Sequence, residues 1–369
     1  MQTNYDLIVI GAGISACTFA STFNKRFPDS SILLVEQGRR IGGRATSRKT
    51  RKNISFEFDH GLPSISLTNN ISKDLKSLII QLLNTKKLID ISNEILIINE
   101  FGEIDNYFNN QKIYRGYPFM INLCNGIINQ SFNSRKINFL FNTFINKVKL
   151  KSGSWELKTH NQITLRSKKL ILSSSLLVHP RCLDIINIDR PPIQDAFVNV
   201  SDYIVDAVIK KTKKQKYIKK KNYILLASSP EIVNNFRYDY LQLMFSNSIN
   251  EEYSFERIIF QRQPNSSIII ILHCSYYKEI YDIDYEVIIE YLMRIFQGHK
   301  IFSNLFIDSQ LINKMNWRAS QPIGNLLPKE FQWSSISEIG FCGDWIDIDG
   351  VCGVQAAMES SIRLAKLIN

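Results

Sequence analysis

Residues 5–38, YDLIVIGAGISACTFASTFNKRFPDSSILLVEQG, restrict what this chain can fold into more than any other part of it. Leu7 to Ile10 is a continuous apolar run, as a parallel strand buried on both faces requires. Gly11-Ala12-Gly13 then turns into a helical segment of small and apolar residues, and Ile32 to Val35 forms a second buried strand that ends in Glu36. Gly11, Gly13 and Ala16 make a G-x-G-x-x-A fingerprint with an acid twenty residues past Ala16. Gly11 permits the tight turn, Gly13 lets a pyrophosphate approach the backbone, and Ala16 keeps helix and strand close. The unpaired N–H groups at the helix start, around Ile14 and Ser15, carry the positive end of the helix dipole toward those phosphates. Glu36 is placed to accept hydrogen bonds from ribose hydroxyls. A strand, a glycine turn, a helix and an acid in the right order make this a dinucleotide-binding βαβ unit.

The fingerprint alone does not choose between NAD and FAD; the next residues do. EQGRRIGGRATSRKTR, 36–51, follows the acid with Gln37 and then Gly42-Gly43-Arg44, and FDHGLPSIS covers 58–66. These segments resemble the flavoprotein amine-oxidase superfamily, in which the Gly-Gly-Arg stretch runs beneath the flavin diphosphate and the second stretch passes the isoalloxazine ring. A guanidinium suits a diphosphate because it pairs with phosphate oxygens in bidentate fashion. The resemblance implies cofactor contacts at Gln37, Gly43, Arg44, His60, Gly61 and Ile145.

The far end of the chain carries the complement. Ile339 to Phe341 is a short apolar run ending in Cys342-Gly343-Asp344, and GVCGVQAAMESSIRLAKLI, 350–368, reads as a helix starting near Gly353. Val354, Met358, Ile362 and Ala365 fall on one apolar stripe. In the same superfamily a strand ending in Gly-Asp, here Gly343 and Asp344, reaches the ribityl–phosphate part of FAD. The helix start at Gly353 and Val354 would then stabilise negative charge on the reduced ring.

Three middle stretches are similar to renalase-type flavoproteins: YRGYPFMINLCNGII (114–128), SGSWELKTHNQITLRSKKLILSSS (152–175) and MNWRASQPIG (315–324). SSIIIILHCSYYKEIYDIDYEVIIEYLMRIF (266–296) reads as strand, loop and amphipathic helix, with Val287, Ile288, Tyr291, Leu292 and Ile295 on the apolar face. The resemblance implies an α/β chain: an FAD-binding Rossmann-like domain of the p-hydroxybenzoate hydroxylase/amine oxidase type, with a second, mixed-sheet α+β substrate domain. The FAD domain is expected to be discontinuous, over 1–66, 116–186 and 315–369, with 67–115 and 187–314 forming the substrate domain. The chain departs from the family at Gly61-Leu62-Pro63, where many members carry Gly-Ala-Gln, and at Ala319-Ser320, where a Tyr often follows Trp-Arg.

Composition narrows the remaining choices. Eight lysines of KKTKKQKYIKKK, 210–221, account for most of the +11 net charge, which falls to +3 once they are set aside. The run reads as a solvated loop or hairpin tip, and no recognition helix or aromatic platform accompanies it, so nucleic acid is not an expected partner. No apolar run approaches the length of a membrane span. The first residues, MQTNYDLIVIGAG, lack a basic stretch followed by an apolar helix, and the six cysteines are scattered without a CxxC. A cytoplasmic protein with reduced thiols, no disulfide and no metal is expected.

Function follows from the resemblance. One dinucleotide motif is present, so any nicotinamide enters as substrate rather than in a domain of its own. The renalase-like reading is an FAD-dependent oxidoreductase that accepts hydride from a small organic substrate at flavin N5. The donor would be a dihydronicotinamide derived from NAD(P)H, with O2 as acceptor and FAD held non-covalently. An amine- or polyene-oxidising flavoprotein and an FAD-bound protein without turnover stay open. Trp317, as a cavity wall, and His60, beside the flavin segment, are the candidate catalytic residues. His273 and Tyr276 lie at a strand end that faces either the flavin or the core. Cys342 and Cys352, which flank the Gly-Asp motif without a basic neighbour, are read as packing.

Overall fold

The computed structural model describes residues 3–50, 56–108, 111–276 and 282–369. Arg51, at the end of the Gly-Gly-Arg segment, and most of the loop expected after the 266–276 strand lie outside the described residues.

The first sheet is built around four parallel strands in the order Ile137–Leu140, Ile32–Val35, Asn4–Ile10 and Thr164–Leu172. The last strand is long enough to take two neighbours on its outer side. Its first half pairs with the antiparallel hairpin Ile145–Lys151 and Ser154–Thr159, and its second half with Ile339–Phe341 in parallel. The apolar runs read as doubly buried strands are largely so: Leu7, Ile8, Val9 and Ile32 to Val35 are buried, and Ile10 at the strand end is partly exposed. One face packs against the fingerprint helix Ile14–Arg26 and the closing helix Gly353–Leu367; the other carries Trp155 and Leu165 and packs against Val205 and Val208. The two helices lie side by side; Ser15 Oγ and Ser361 Oγ are 2.7 Å apart, and Arg26 reaches the Ile368 carbonyl at 2.9 Å. The closing helix buries Met358, Ile362 and Ala365 of the expected stripe, with Val354 partly buried at its edge.

The second sheet has seven strands in the order Gln310–Ile323, Lys216–Ala227, Ile268–Tyr276, Phe255–Arg262, Tyr240–Phe245, Ile95–Ile98 and Ile104–Asn106. Its outer face carries Tyr223, Leu225, Ile258, Phe260 and Ile270, covered by the helices Tyr285–Ile295 and Lys300–Asp308. Its inner face turns Ile224, Ile259, Ile269 and Ile271 toward Phe58, Ile91 and Ile113. Asp59 ties the two halves together. Its carboxylate accepts from Ser47 Oγ (2.6 Å), Met120 N (2.9 Å) and Gln261 Nε2 (2.9 Å), with Arg115 at 3.7 Å.

Several segments sit differently from the expected domain ranges. Residues 315–323, expected with the dinucleotide-binding part, form the edge of the second sheet against Lys216–Ala227. Ile193, Phe197, Ile204 and Val205, expected in the substrate part, pack into the first domain's core. Leu75, Ile79 and Leu82 of the helix Lys73–Asn84 do likewise. In the last two cases an apolar face packs against the first sheet rather than the second.

The lysine run is corrected by the structure. It is not a solvated loop throughout: Lys210 and Lys211 end a helix, and Lys216 to Lys221 form the start of a strand. Lys210, Lys211, Lys213, Lys214 and Lys216 are exposed, but Lys221 is buried with its ammonium 2.6 Å from Asp282, and Lys220 is paired with Glu256. Strand alternation directs neighbouring lysines to opposite faces. Among the described residues, no helix is long and apolar enough to cross a membrane.

Candidate active site

A cavity of about 520 Å³ opens where the C-terminal ends of the first sheet meet the inner face of the second. That volume is typical of small-molecule and cofactor sites. Gly13, Ile14 and Ser15 at the start of the fingerprint helix form one wall, and Gly343, Asp344, Gly353 and Val354 before and at the start of the closing helix form the next. Two helix N-termini, with their unpaired N–H groups, therefore border one space.

The glycine turns are forced by crowding. Gly11 has φ +105°, and a Cβ there would stand 2.5 Å from Ser173 Oγ. Gly42-Gly43 folds back on Gly13, with Gly42 N donating to the Ala12 carbonyl at 2.7 Å. A Cβ on Gly43 would come within 3.2 Å of Gly13 Cα. Arg44 then reaches across to Asp344 (2.7 Å), joining the two ends of the chain at the cavity. Glu36 Oε2 accepts from Ala12 N at 2.9 Å and Oε1 from Gly38 N at 2.6 Å. The acid thus braces the turn it follows.

Among the expected site residues, Gly13, Ile14, Ser15, Arg44, Gly61, Trp317, Gly343, Asp344, Gly353 and Val354 line the cavity. Gly11, Ala16, Glu36, Gln37, Gly43, His60 and Ile145 do not. Gly11, Ala16, Gly43 and His60 lie next in sequence or space to lining residues. Ile145 is in the core on the other face of the first sheet. It follows Thr143, whose N–H donates to the Glu36 carbonyl at 3.0 Å. Its strand pairs antiparallel with Ser154–Thr159, and the side chain is buried in that core.

His60 stacks on Trp317, with ring centroids 5.6 Å apart. Burial, with Arg48 nearby, lowers the His60 pKa to about 4, so the ring is neutral at pH 7. Asn222 Nδ2 donates to the His60 carbonyl at 2.5 Å, and Asn222 pairs in register with His273. His273 faces the cavity, whereas Tyr276 belongs to the outer core, as strand alternation dictates. His60 Nδ1, Trp317 Nε1, Asn222 Oδ1 and His273 Nε2 are buried and find no hydrogen-bond partner among the described residues. Such groups are rare in a native core, and here they form one patch.

Gly61 separates this patch from the Arg44 loop. A Cβ at Gly61 would fall 2.2 Å from the Arg44 carbonyl oxygen and 3.0 Å from Trp317 Cζ2. Gly61→Ala must therefore push the Arg44 backbone or the Trp317 ring, at a cost of about 1–3 kcal/mol. It is expected to lower the melting temperature and shift the Trp fluorescence; an unchanged spectrum and melting temperature would place no crowding there.

Sequence reasoning missed Lys220, Asn222, Glu256 and Arg257, which also line the cavity. Glu256 binds both Lys220 and Arg257, and Ser275 Oγ donates to it at 2.6 Å. Burial alone would raise the Glu256 carboxyl; Arg257 and Lys220 outweigh it and hold it well below the usual carboxylate range. Cys342 is buried, its thiol pushed up to about 11 by burial. Cys352 is a correction: it caps the closing helix, exposed at the cavity, and does not pack.

Residues 9–82 match a family described as NAD(P)-binding Rossmann-like domain. The whole chain has an amine-oxidase-type fold. Cyclohexylamine oxidase from Brevibacterium oxydans IH-35A superposes with a TM-score of 0.63 at 10% identity, covering 98% of each chain. A CLA-producing fatty acid isomerase from P. acnes superposes at 0.61 and 9% identity, covering 100% of this chain and 99% of its own. Putrescine oxidase superposes at 0.60 and 12% identity, covering 98% of each chain. A comparison with curated proteins finds no match to the sequence.

Proposed function

We propose that this chain is an FAD-dependent oxidoreductase that oxidises a small organic donor, with a dihydronicotinamide as donor and O2 as final acceptor. The observation that carries the reading is the single cavity bordered by two glycine-backed helix N-termini on one side and by Trp317 on the other. The residues fit FAD: Gly13 and Gly43 leave backbone open where a Cβ would intrude, and Arg44 supplies a guanidinium beside two helix starts. Bound FAD supplies a two-electron acceptor that takes hydride at N5. The N-terminus of the closing helix at Gly353 would help hold the cofactor, its positive dipole end favouring negative charge there. Trp317 walls the donor side, and the neutral His60 stacked on it holds the ring in place. No strong base is required of the chain, since hydride transfer to flavin can proceed without one. Five buried free thiols support a reducing, cytoplasmic setting.

Amine oxidation is the second reading, favoured by the names of cyclohexylamine oxidase and putrescine oxidase among the structural neighbours. Anaerobic mixing of the yellow holoprotein with each donor separates the two. Rapid bleaching by a dihydronicotinamide isomer, then peroxide on admitting air, is the expected result. Faster bleaching by an amine or polyene moves the chain to the second reading, and no bleaching by any donor with FAD fully bound leaves a binding protein. Heat or acid is expected to release intact FAD, because the strand 310–323 contains no cysteine to hold it. A colourless protein that FAD does not reconstitute overturns the whole reading.

A further inference from the structure

The second sheet carries two register shifts at the cavity, one between Phe255 and Arg257 and one between Ile218 and Lys220. A bulge breaks the alternation of a strand and re-aims side chains. Here the result is that Glu256 and Arg257, neighbours in sequence, both face the cavity, joined there by Lys220. None of the three is fully buried: Lys220 is 18% and Arg257 19% exposed, so both cations present part of their surface to the open space.

The charges in this cavity are unevenly matched. Its lining carboxylates are Glu256, Asp344 and Asp349. Asp344 is engaged by Arg44 and Asp349 by Lys329, while Glu256 alone serves both Lys220 and Arg257. His273 and His60 add no positive charge, since burial and neighbouring cations lower both. One cation is therefore left without a counter-charge on the donor side, and no lining carboxylate among the described residues is free for an ammonium. Leu62, Pro63, Ile65, Val351 and Trp317 supply apolar surface, interspersed with uncharged polar side chains such as Ser64, Ser320 and Gln321.

We propose that the donor is an anion with an apolar or aromatic body, its carboxylate or phosphate held by Arg257 and Lys220. This rests on the proposed oxidoreductase reading and names its substrate class. An ammonium donor would meet excess positive charge at the same place, whereas an anion completes the pairing that Glu256 satisfies only by sharing. A guanidinium presents five donors in a planar fork and an ammonium three, so both keep donors beyond those given to Glu256.

The test uses the FAD-loaded wild-type protein and matched pairs that differ in charge. Dihydronicotinamide riboside is compared with its 5′-phosphate, and benzamide with benzoate, by flavin absorbance changes under anaerobic conditions. Binding about tenfold or more tighter for the anion of at least one pair, weakening with added NaCl, is expected. The pair that shows it identifies phosphate or carboxylate as the recognised group. Arg257→Met should abolish the preference, and Arg257→Lys should restore part of it. Glu256→Gln should tighten the anion, a change that a merely structural cluster would not produce. Equal affinities within both pairs, or tighter binding of benzylammonium than of benzoate, overturn the proposal even where the flavin is bound and reduced. Should Arg257→Met fail to bind FAD, the wild-type pairs alone decide. Failure of the wild type to bind FAD instead sinks the oxidoreductase reading.

Discussion

Glu36→Ala is expected to weaken FAD binding by roughly ten- to a thousandfold. The carboxylate is nearly buried and accepts from Ala12 N and Gly38 N. Hydrogen bonds to a charged group contribute about 1.5–3 kcal/mol each, and an orphaned buried N–H costs about 1–3 kcal/mol. Ala12 lies between the two glycines of the turn, so truncation frees the loop that must approach the pyrophosphate. Any bond to ribose hydroxyls is lost as well, since a carboxylate has about four acceptor directions and the backbone uses two. Glu36→Gln keeps the shape and one acceptor and should fall between wild type and alanine. Titration with FAD, followed by quenching of flavin fluorescence, gives the constants, and an unchanged value for the alanine variant would remove Glu36 from cofactor binding.

Glu256→Gln is expected to destabilise the protein by about 3 kcal/mol at pH 7, the lower end of the cost of breaking a buried ion pair because these groups keep some solvent contact. The substitution leaves Lys220 and Arg257 facing each other without a counter-charge. The pH dependence has a definite sign. The folded Glu256 carboxyl titrates well below its ordinary value, so its stabilisation is fully present above the ordinary carboxylate range and is lost as pH falls through the folded value. Wild type and Glu256→Gln should therefore differ most near neutrality and converge in strong acid. Urea denaturation at a series of pH values measures the gap; a constant gap would mean that the carboxylate charge is not what holds the cluster.

The two ends of the site were legible because their signals are local. Gly11, Gly13 and Glu36 act through a turn and the strand beside it, and Gly343 through a turn before a helix, so spacing along the chain reports their geometry. Lys220 and Arg257 were not legible for the opposite reason. They meet across two intervening pairings, and both stand where a register shift reverses the side a strand residue faces. Nothing in KKTKKQKYIKKK distinguishes Lys220 from Lys216, yet one lines a cavity and the other meets water. Asp59 was read as part of a flavin-passing segment, but its side chain holds Ser47, Met120 and Gln261 together, and that convergence exists only in three dimensions.

The pairing of Thr164–Leu172 with Ile339–Phe341, and of the fingerprint helix with the closing helix, has a consequence for how the protein is made. On a ribosome, residues 4–35 emerge long before residues 339–367 and can curl into their βαβ unit while the wall that contains Asp344 and Gly353 does not yet exist. At about 5–20 residues per second, the early unit waits many seconds with an apolar flank exposed. Capture of the proposed cofactor would thus have to wait until the segment through Gly353 has been made. A shortage of FAD would then be felt by chains already extended past Gly353 rather than by short nascent ones, leaving them exposed to chaperones and proteases at that stage.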